Sequence, residues 1–243
     1  MTTLAIHQPH YMPWLGYLAK WAAADAFVFL DTVQYEKNGW QNRNRIKTPA
    51  GPRWITVPVR AHLGTPIAAI ELDAAQPWRA RHLSAIEQAY ATAAHFADHH
   101  AALQKLYASE WSQLAPLAVA SAQWLADAVG IATPARLASS LAITAADPTE
   151  RLIALCRTVG ADTYLAGRDG ARYMDTARFA AAGIRVLYQS YVHPRYAQLH
   201  GEFAPNCSGL DLLLTHGHEA LAILRSGDHW SPHPPPDASS ERP

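Results

Sequence analysis

The stretch IHQPHYMPWLGYLAKW, residues 6–21, holds two histidines, two prolines, two tyrosines and two tryptophans almost at the start of the chain. Imidazole titrates near neutrality, so His7 and His10 have the chemistry to exchange protons with a substrate or to hydrogen-bond a phosphate. Gln8 adds an amide between them, and Trp14 and Tyr17 offer ring faces on which a base or a sugar can stack. Rings serve packing more often than recognition, so taken alone the aromatic pair reads first as a staple between a loop and a helix. His10 stands apart. It is flanked by Pro9 and Tyr11 in a loop, where a histidine is seldom needed for packing, and it is the residue expected to act as general base or phosphate donor.

A second group follows in DTVQYEKNGWQNRNRIK, residues 31–47. Asp31 ends an apolar run, where a carboxylate can orient a hydroxyl or an amine, or hold magnesium. Gln34, Asn42, Arg43 and Arg45 bring amides and guanidinium forks that match phosphate oxygens. In an extended segment Gln41, Arg43 and Arg45 share one face while Asn42 and Asn44 share the other, so at most half of them serve one site. The bland alternative is a solvated hairpin, which suits Lys37 and Lys47.

Two weaker signals lie downstream. In YLAGRDGARYMD, Arg168 follows a strand-like run ending at Gly167, with the glycine punctuation of a phosphate-binding turn but of neither GxGxxG nor the P-loop. In SYVHPRYAQLHGEF, His193, Arg195, Tyr196 and His200 either close a pocket or form a surface connection. There is no GxSxG or HExxH, and His216 with His218 lacks a third ligand at zinc spacing, so no zinc site is expected and no residue is assigned as a metal ligand. Cys156 lies in an apolar helical pattern and reads as a packing residue.

The elements that must hold these residues follow from the hydrophobic pattern. LAIH (4–7) is a short buried strand, LGYLAKWAAA (15–24) a helix and AFVFLD (26–31) a second strand. This compact β-loop-α-β unit fits a right-handed parallel crossover, which places residues 8–14 and 31–35 together at the carboxyl edge of a sheet. That edge is where open α/β sheets take ligands. IAAIELD (67–73) reads as a strand, and 78–129 as two or three helices broken near His99 and Pro116. Asp147, Pro148 and Glu150 mark a capped helix that Gly160 closes. Strand, helix and strand return over 163–192. The expected class is α/β, a Rossmann-like, mostly parallel sheet flanked by helices, with a helical segment over about 77–130. Residues 1–227 form one domain, and 228–243 a disordered tail too poor in apolar residues to pack.

Composition bounds the partners. Lys plus Arg, 20, equals Asp plus Glu, 20, so no overall field draws nucleic acid or anionic lipid. With 49% apolar residues over 243 positions the core is ample without disulfides, and two cysteines without CxxC spacing fit a reducing compartment. No run approaches the roughly 18 apolar residues of a membrane-spanning helix and no secretion signal opens the chain, so a cytoplasmic protein is expected.

The blocks QPHYMPWLGYLAKWAAADAFVFLDTVQYEKNGWQNRNRIK, GADTYLAGRDGARYMD and GIRVLYQSYVHPRYAQLHGEFAPNCSGLDLLLTHG resemble the WbqC-like family over about residues 4–225. The resemblance implies a place in bacterial surface-polysaccharide biosynthesis, notably of O-antigen. More distantly, WLGY (14–17) sits where nucleotidylyltransferases and pantothenate synthetases of the Rossmann-like class carry HxGH, keeping the glycine but neither histidine. The expected function is that of an enzyme acting on a nucleotide-linked sugar or an activated acyl donor, a transferase or ligase that acylates or amidates an amine. His10 and Asp31 would be catalytic, and His7, Gln8, Trp14, Tyr17, Gln34, Asn42, Arg43, Arg45 and Arg168 would bind substrate. A nucleotide with magnesium is the cofactor to consider. The alternatives are a non-catalytic sugar-nucleotide binding module and a nucleotidyltransferase.

Overall fold

The computed structural model describes residues 1–235. The chain opens with β1 (Thr3–His7), α1 (Leu15–Ala22) and β2 (Ala26–Phe29), then forms a hairpin of β3 (Arg43–Thr48) and β4 (Gly51–Thr56). A small antiparallel pair, β5 (Val59–Arg60) and β6 (Glu71–Leu72), leads to three consecutive helices, α2 (Trp78–Tyr90), α3 (Phe96–Ala108) and α4 (Leu114–Val129). The second half runs β7 (Ala135–Leu137), α5 (Pro148–Val159), β8 (Thr163–Ala166), α6 (Thr176–Ala181) and β9 (Arg185–Tyr191), then α7 (Gly209–His216), α8 (Ala220–Ser226) and β10 (Asp228–Ser231).

Six of these strands form one sheet in the order β10-β9-β8-β1-β2-β7, parallel throughout except for β10 against β9. The expected mostly parallel α/β fold is therefore what the chain adopts. Buried on both faces, the central strands carry unbroken apolar runs, Leu4–Ile6, Phe27–Phe29 and Tyr164–Ala166, rather than an alternating pattern. Side chains that alternate along a strand supply two separate cores. Leu4, Ile6, Val28, Tyr164 and Ala166 pack with Leu152, Ile153, Cys156 and Phe179 of α5 and α6. Ala5, Phe27, Phe29 and Leu165 pack instead with α1, α4, α7 and α8. Opposite faces for α1 and α6 are what right-handed crossovers require once the chain has turned from winding one way along the sheet to winding the other.

Helix ends follow local chemistry. The Asp147 side chain accepts from the Glu150 amide at 2.8 Å, Pro148 occupies the first helical position of α5, and Gly160 closes it in the left-handed conformation at φ 76°. The helical middle breaks elsewhere than at His99 and Pro116. His99 lies within α3, and Pro116 sits in the first turn of α4, where no intrahelical donor is lost. The strand expected over 67–73 shortens to β6, preceded by a 3-10 turn at Ile67–Ala69.

Residues 228–231, expected in the tail, instead add the antiparallel edge strand β10, with Asp228 opposite Tyr191 and Ser231 opposite Tyr188. Their low apolar content is offset by polar anchoring. Gln189 Nε2 donates to Asp228 Oδ1 at 2.8 Å, and the Trp230 indole donates to Asp228 Oδ2 at 2.9 Å. The remainder of the expected tail, 236–243, lies outside the described residues.

Candidate functional site at the carboxyl edge of the sheet

From β1 the chain first moves outward through α1 to β2, and only later returns to lay β8 on the other side of β1. The carboxyl ends of β1 and β8 thus flank the point where the winding reverses, which is where open α/β sheets take ligands. His7 is the last residue of β1, and Gly167 follows the last residue of β8.

Three rings converge at this point. The centroids of His7 and His10 lie 4.6 Å apart, those of His7 and Tyr17 4.5 Å, and those of His10 and Tyr17 5.1 Å. His7 is half-buried, while His10 is only 6% exposed. His7 Nδ1 donates to the Gln8 carbonyl at 3.2 Å, and this leaves a lone pair on Nε2 of the neutral ring. His10 Nδ1 is buried with no hydrogen-bond partner. Burial, reinforced by the neighbouring Lys20, lowers both imidazoles, His7 well below its ordinary value and His10 to about 3. Both rings are therefore neutral at physiological pH, the form in which an imidazole accepts protons. Burial also holds the Tyr17 phenol well above its usual range.

The fourth member, Lys20, escapes sequence reasoning. A lysine in an amphipathic helix normally points to water, and nothing in LGYLAKWAA says otherwise. Here it is 2% exposed, and its Nζ donates to the Ile6 carbonyl at 2.9 Å beneath the end of β1. Burial depresses the amine to about 7, against a weaker opposing pull from Asp228. The only available signal was positional: Lys20 falls one turn after Tyr17, three residues on, and so shares its face of α1.

The other expected residues divide between this cluster and the scaffold around it. Gln8 reaches the cluster's rim, where its Oε1 accepts from Gln41 Nε2 at 2.6 Å, and Gln41 Oε1 is left buried and unpaired. Trp14 packs edge-on against Tyr191 at 5.5 Å, and its ring covers Gly16, where even a Cβ would approach to 2.3 Å. Asp31 is buried, with one oxygen accepting from the Ser139 amide at 2.9 Å and the other from the Ser139 hydroxyl at 2.6 Å. That carboxylate clasps the exit of β2 to the segment after β7. Asn42 donates to the Val57 carbonyl at 2.8 Å across the base of the hairpin. Arg43 donates to the carbonyls of Gly39 and Asn38, with its guanidinium 4.4 Å above the Trp54 ring. Arg45 donates to Pro205 and Asn206 carbonyls and lies 5.6 Å from the same ring. Gln34 is exposed, and Arg168 is exposed in the 3-10 turn Arg168–Arg172 that follows β8.

Two polar networks lock the surrounding loops. The Tyr11 hydroxyl meets His82 Nδ1 at 3.0 Å and the Tyr107 hydroxyl, tying the residue after His10 to α2 and α3. Fully buried Asp211 accepts from Tyr90 at 2.8 Å, and from Tyr196 and Gln198 at 2.9 Å each. That network fixes the chain after β9, with His193 stacked on Tyr196 at 6.2 Å. A cavity of about 500 Å³ lies away from all of this, between α6, β9 and Pro232–Pro234; its lining includes Met174, Ile184 and Val186.

Comparison with known proteins gives one consistent picture. A family model described as the WbqC-like protein family matches residues 8–223. Uncharacterized protein Rv1507c of Mycobacterium tuberculosis is 39% identical over 230 residues, covering 93% of this chain and 98% of its own length. No solved structure matches. No helix among the described residues is long and apolar enough to cross a membrane.

Proposed function

The chain belongs to the WbqC-like protein family, and from that premise we propose that it is an enzyme of bacterial surface-polysaccharide assembly. It acts on a nucleotide-linked sugar or an activated acyl donor, and acylates or amidates an amine. The observation that carries the catalytic part is the pair His7 and His10: two neutral imidazoles 4.6 Å apart at the carboxyl edge, one with a lone pair on Nε2 and the other with an unpaired buried Nδ1. The substrate amine attacks the acyl carbon and a C–N bond forms. His7 Nε2 takes the amine proton, and the leaving group departs with the bonding electron pair and then receives that proton. His10 hydrogen-bonds the donor, and Tyr17 with Gln8 walls the reacting end. Asp31, engaged by Ser139, holds the exit of β2 beside the site rather than the substrate, and the Arg43–Trp54–Arg45 layer lies on the hairpin outside it.

The test is product formation from nucleotide-linked amino sugars offered with activated acyl donors, read by mass spectrometry. His7→Asn and His10→Asn should each lose roughly 10²- to 10⁴-fold in rate while keeping the wild-type melting profile. Ligand binding without product would replace the enzyme by a sugar-nucleotide binding module. Release of pyrophosphate from a nucleoside triphosphate would replace acyl transfer by nucleotidyl transfer.

A further inference from the structure

We infer that the point between the carboxyl ends of β1 and β8 is a seat for an oxyanion, with Lys20 as its cation and His10 as a hydrogen-bonding wall. The inference rests on the site proposed above, and it names what that site binds rather than what it transforms.

An ammonium group carries three donors, and the Ile6 carbonyl takes one of those of Lys20. No carboxylate among the described residues lies within 4 Å of Nζ, so the amine is buried without an ion-pair partner. Asp228 is the acid whose charge it feels, and that carboxylate is already bonded to Gln189 and to Trp230. Buried charges in folded proteins are paired or they neutralise, and this one has been left to the second course. Beside it, His10 Nδ1 is buried and unsatisfied, a condition that also costs free energy unless a ligand completes it. Gly167 borders the amine, since an added Cβ there would lie in ordinary contact at 3.8 Å from Nζ, and it brings no side chain of its own to that flank. A cation lacking its counter-ion, an unpaired imidazole nitrogen and a side-chain-free strand end thus meet where α/β sheets take ligands. A phosphate oxygen of a nucleotide or the carboxylate of an acid substrate would supply what all three lack.

The depressed lysine, near 7, makes occupancy depend on pH, because only the ammonium form attracts an anion. The groups facing it are His7 and His10 from β1 and its loop, Tyr17 from α1 and Asp228 from β10. Both imidazoles are neutral above about pH 6 and the phenol stays protonated, which leaves Lys20 and Asp228 to be separated.

The experiment is isothermal titration of the full chain with sulfate, pyrophosphate and acetate at constant ionic strength, at about pH 6 and about pH 9. Sulfate keeps its charge over that range, so its affinity reports the protein alone. It should fall roughly 50- to 100-fold from the lower to the higher pH, as the ammonium fraction does. Lys20→Met should abolish binding at the lower pH, and Asp228→Asn should keep the fall. Acetate binding as tightly as sulfate and pyrophosphate would identify a carboxylate seat, and weaker acetate a phosphate seat; either supports the inference. If Lys20→Met does not fold, the wild-type and Asp228→Asn profiles decide. No binding of any of the three anions, affinity flat with pH, equal affinity in Lys20→Met, or a fall that vanishes in Asp228→Asn would each overturn it. Anion binding without turnover would sink the proposed reaction and leave the seat, whereas turnover without pH-dependent anion binding would do the reverse.

Discussion

Removing the Lys20 charge should change how stability varies with pH in a window that can be worked out in advance. In the folded chain the amine titrates near 7, and in the unfolded chain at its ordinary 10.5. Below about pH 7 both states hold the proton and the group contributes no slope. Above it the unfolded state binds a proton that the folded state lacks, so stability rises with pH. Integrating from about pH 7 to about pH 8.5 gives a rise of roughly 1.5 kcal/mol from this one residue. The window closes there because Cys156 and Cys207, both pushed up to about 12 by burial, act with the opposite sign. Once unfolded thiols begin to ionise near their ordinary 9.0, the unfolded state is favoured and stability falls again. Urea unfolding at several pH values in sulfate- and phosphate-free buffer measures this. Lys20→Met keeps an apolar stem of similar length, and its stability should be flatter than the wild type by about 1.5 kcal/mol across the window, with an unchanged denaturant slope. Lys20 helps to lower His7 and His10, but burial is the larger cause for both and keeps them titrating below this window, so they add little to the difference. Parallel pH profiles for the two proteins would refute the account of Lys20 as a buried, counter-ion-free amine.

Two further outcomes test the scaffold. Asp31→Ala should destabilise by about 1–3 kcal/mol, because it strips the Ser139 amide and hydroxyl of their acceptor, and should leave sulfate affinity at about pH 6 within roughly twofold; wild-type stability would remove its role as a clasp. Gly16→Ala forces a Cβ to 2.3 Å from the Trp14 ring and should cost about 1–3 kcal/mol in thermal or urea unfolding. Trp14→Leu in the same chain should recover part of that loss, and additive losses would show that ring and glycine do not share the contact.

The parts of this molecule legible in the sequence are those set by local chemistry. Period and composition mark LAIH and AFVFLD as strands, the second ending two residues earlier at Phe29, Asp147-Pro148 and Gly160 bound a helix, and the shortness of the first crossover places His7 and His10 at the carboxyl edge of the sheet. What could not be read was which polar side chains the tertiary structure would spend on itself. Asp31, Asn42, Arg43 and Arg45 have the residue types of a binding site, yet their donors and acceptors close onto Ser139, Val57, Gly39 and Pro205, partners up to 160 residues away. Lys20 shows the converse, a residue of surface type drawn inward because α1 packs over the end of β1. In the same way β10 owes its existence to Gln189 and Trp230 holding one carboxylate, an arrangement with no periodic signature. A polar residue is therefore informative about ligand chemistry only once its hydrogen bonds have been counted. By that count the atoms around this edge still in need of partners are His10 Nδ1, the Tyr17 hydroxyl, Gln41 Oε1 and the remaining donors of Lys20, with Arg45 Nε unpaired on the hairpin, so a ligand bound between β1 and β8 should meet the first four of these groups.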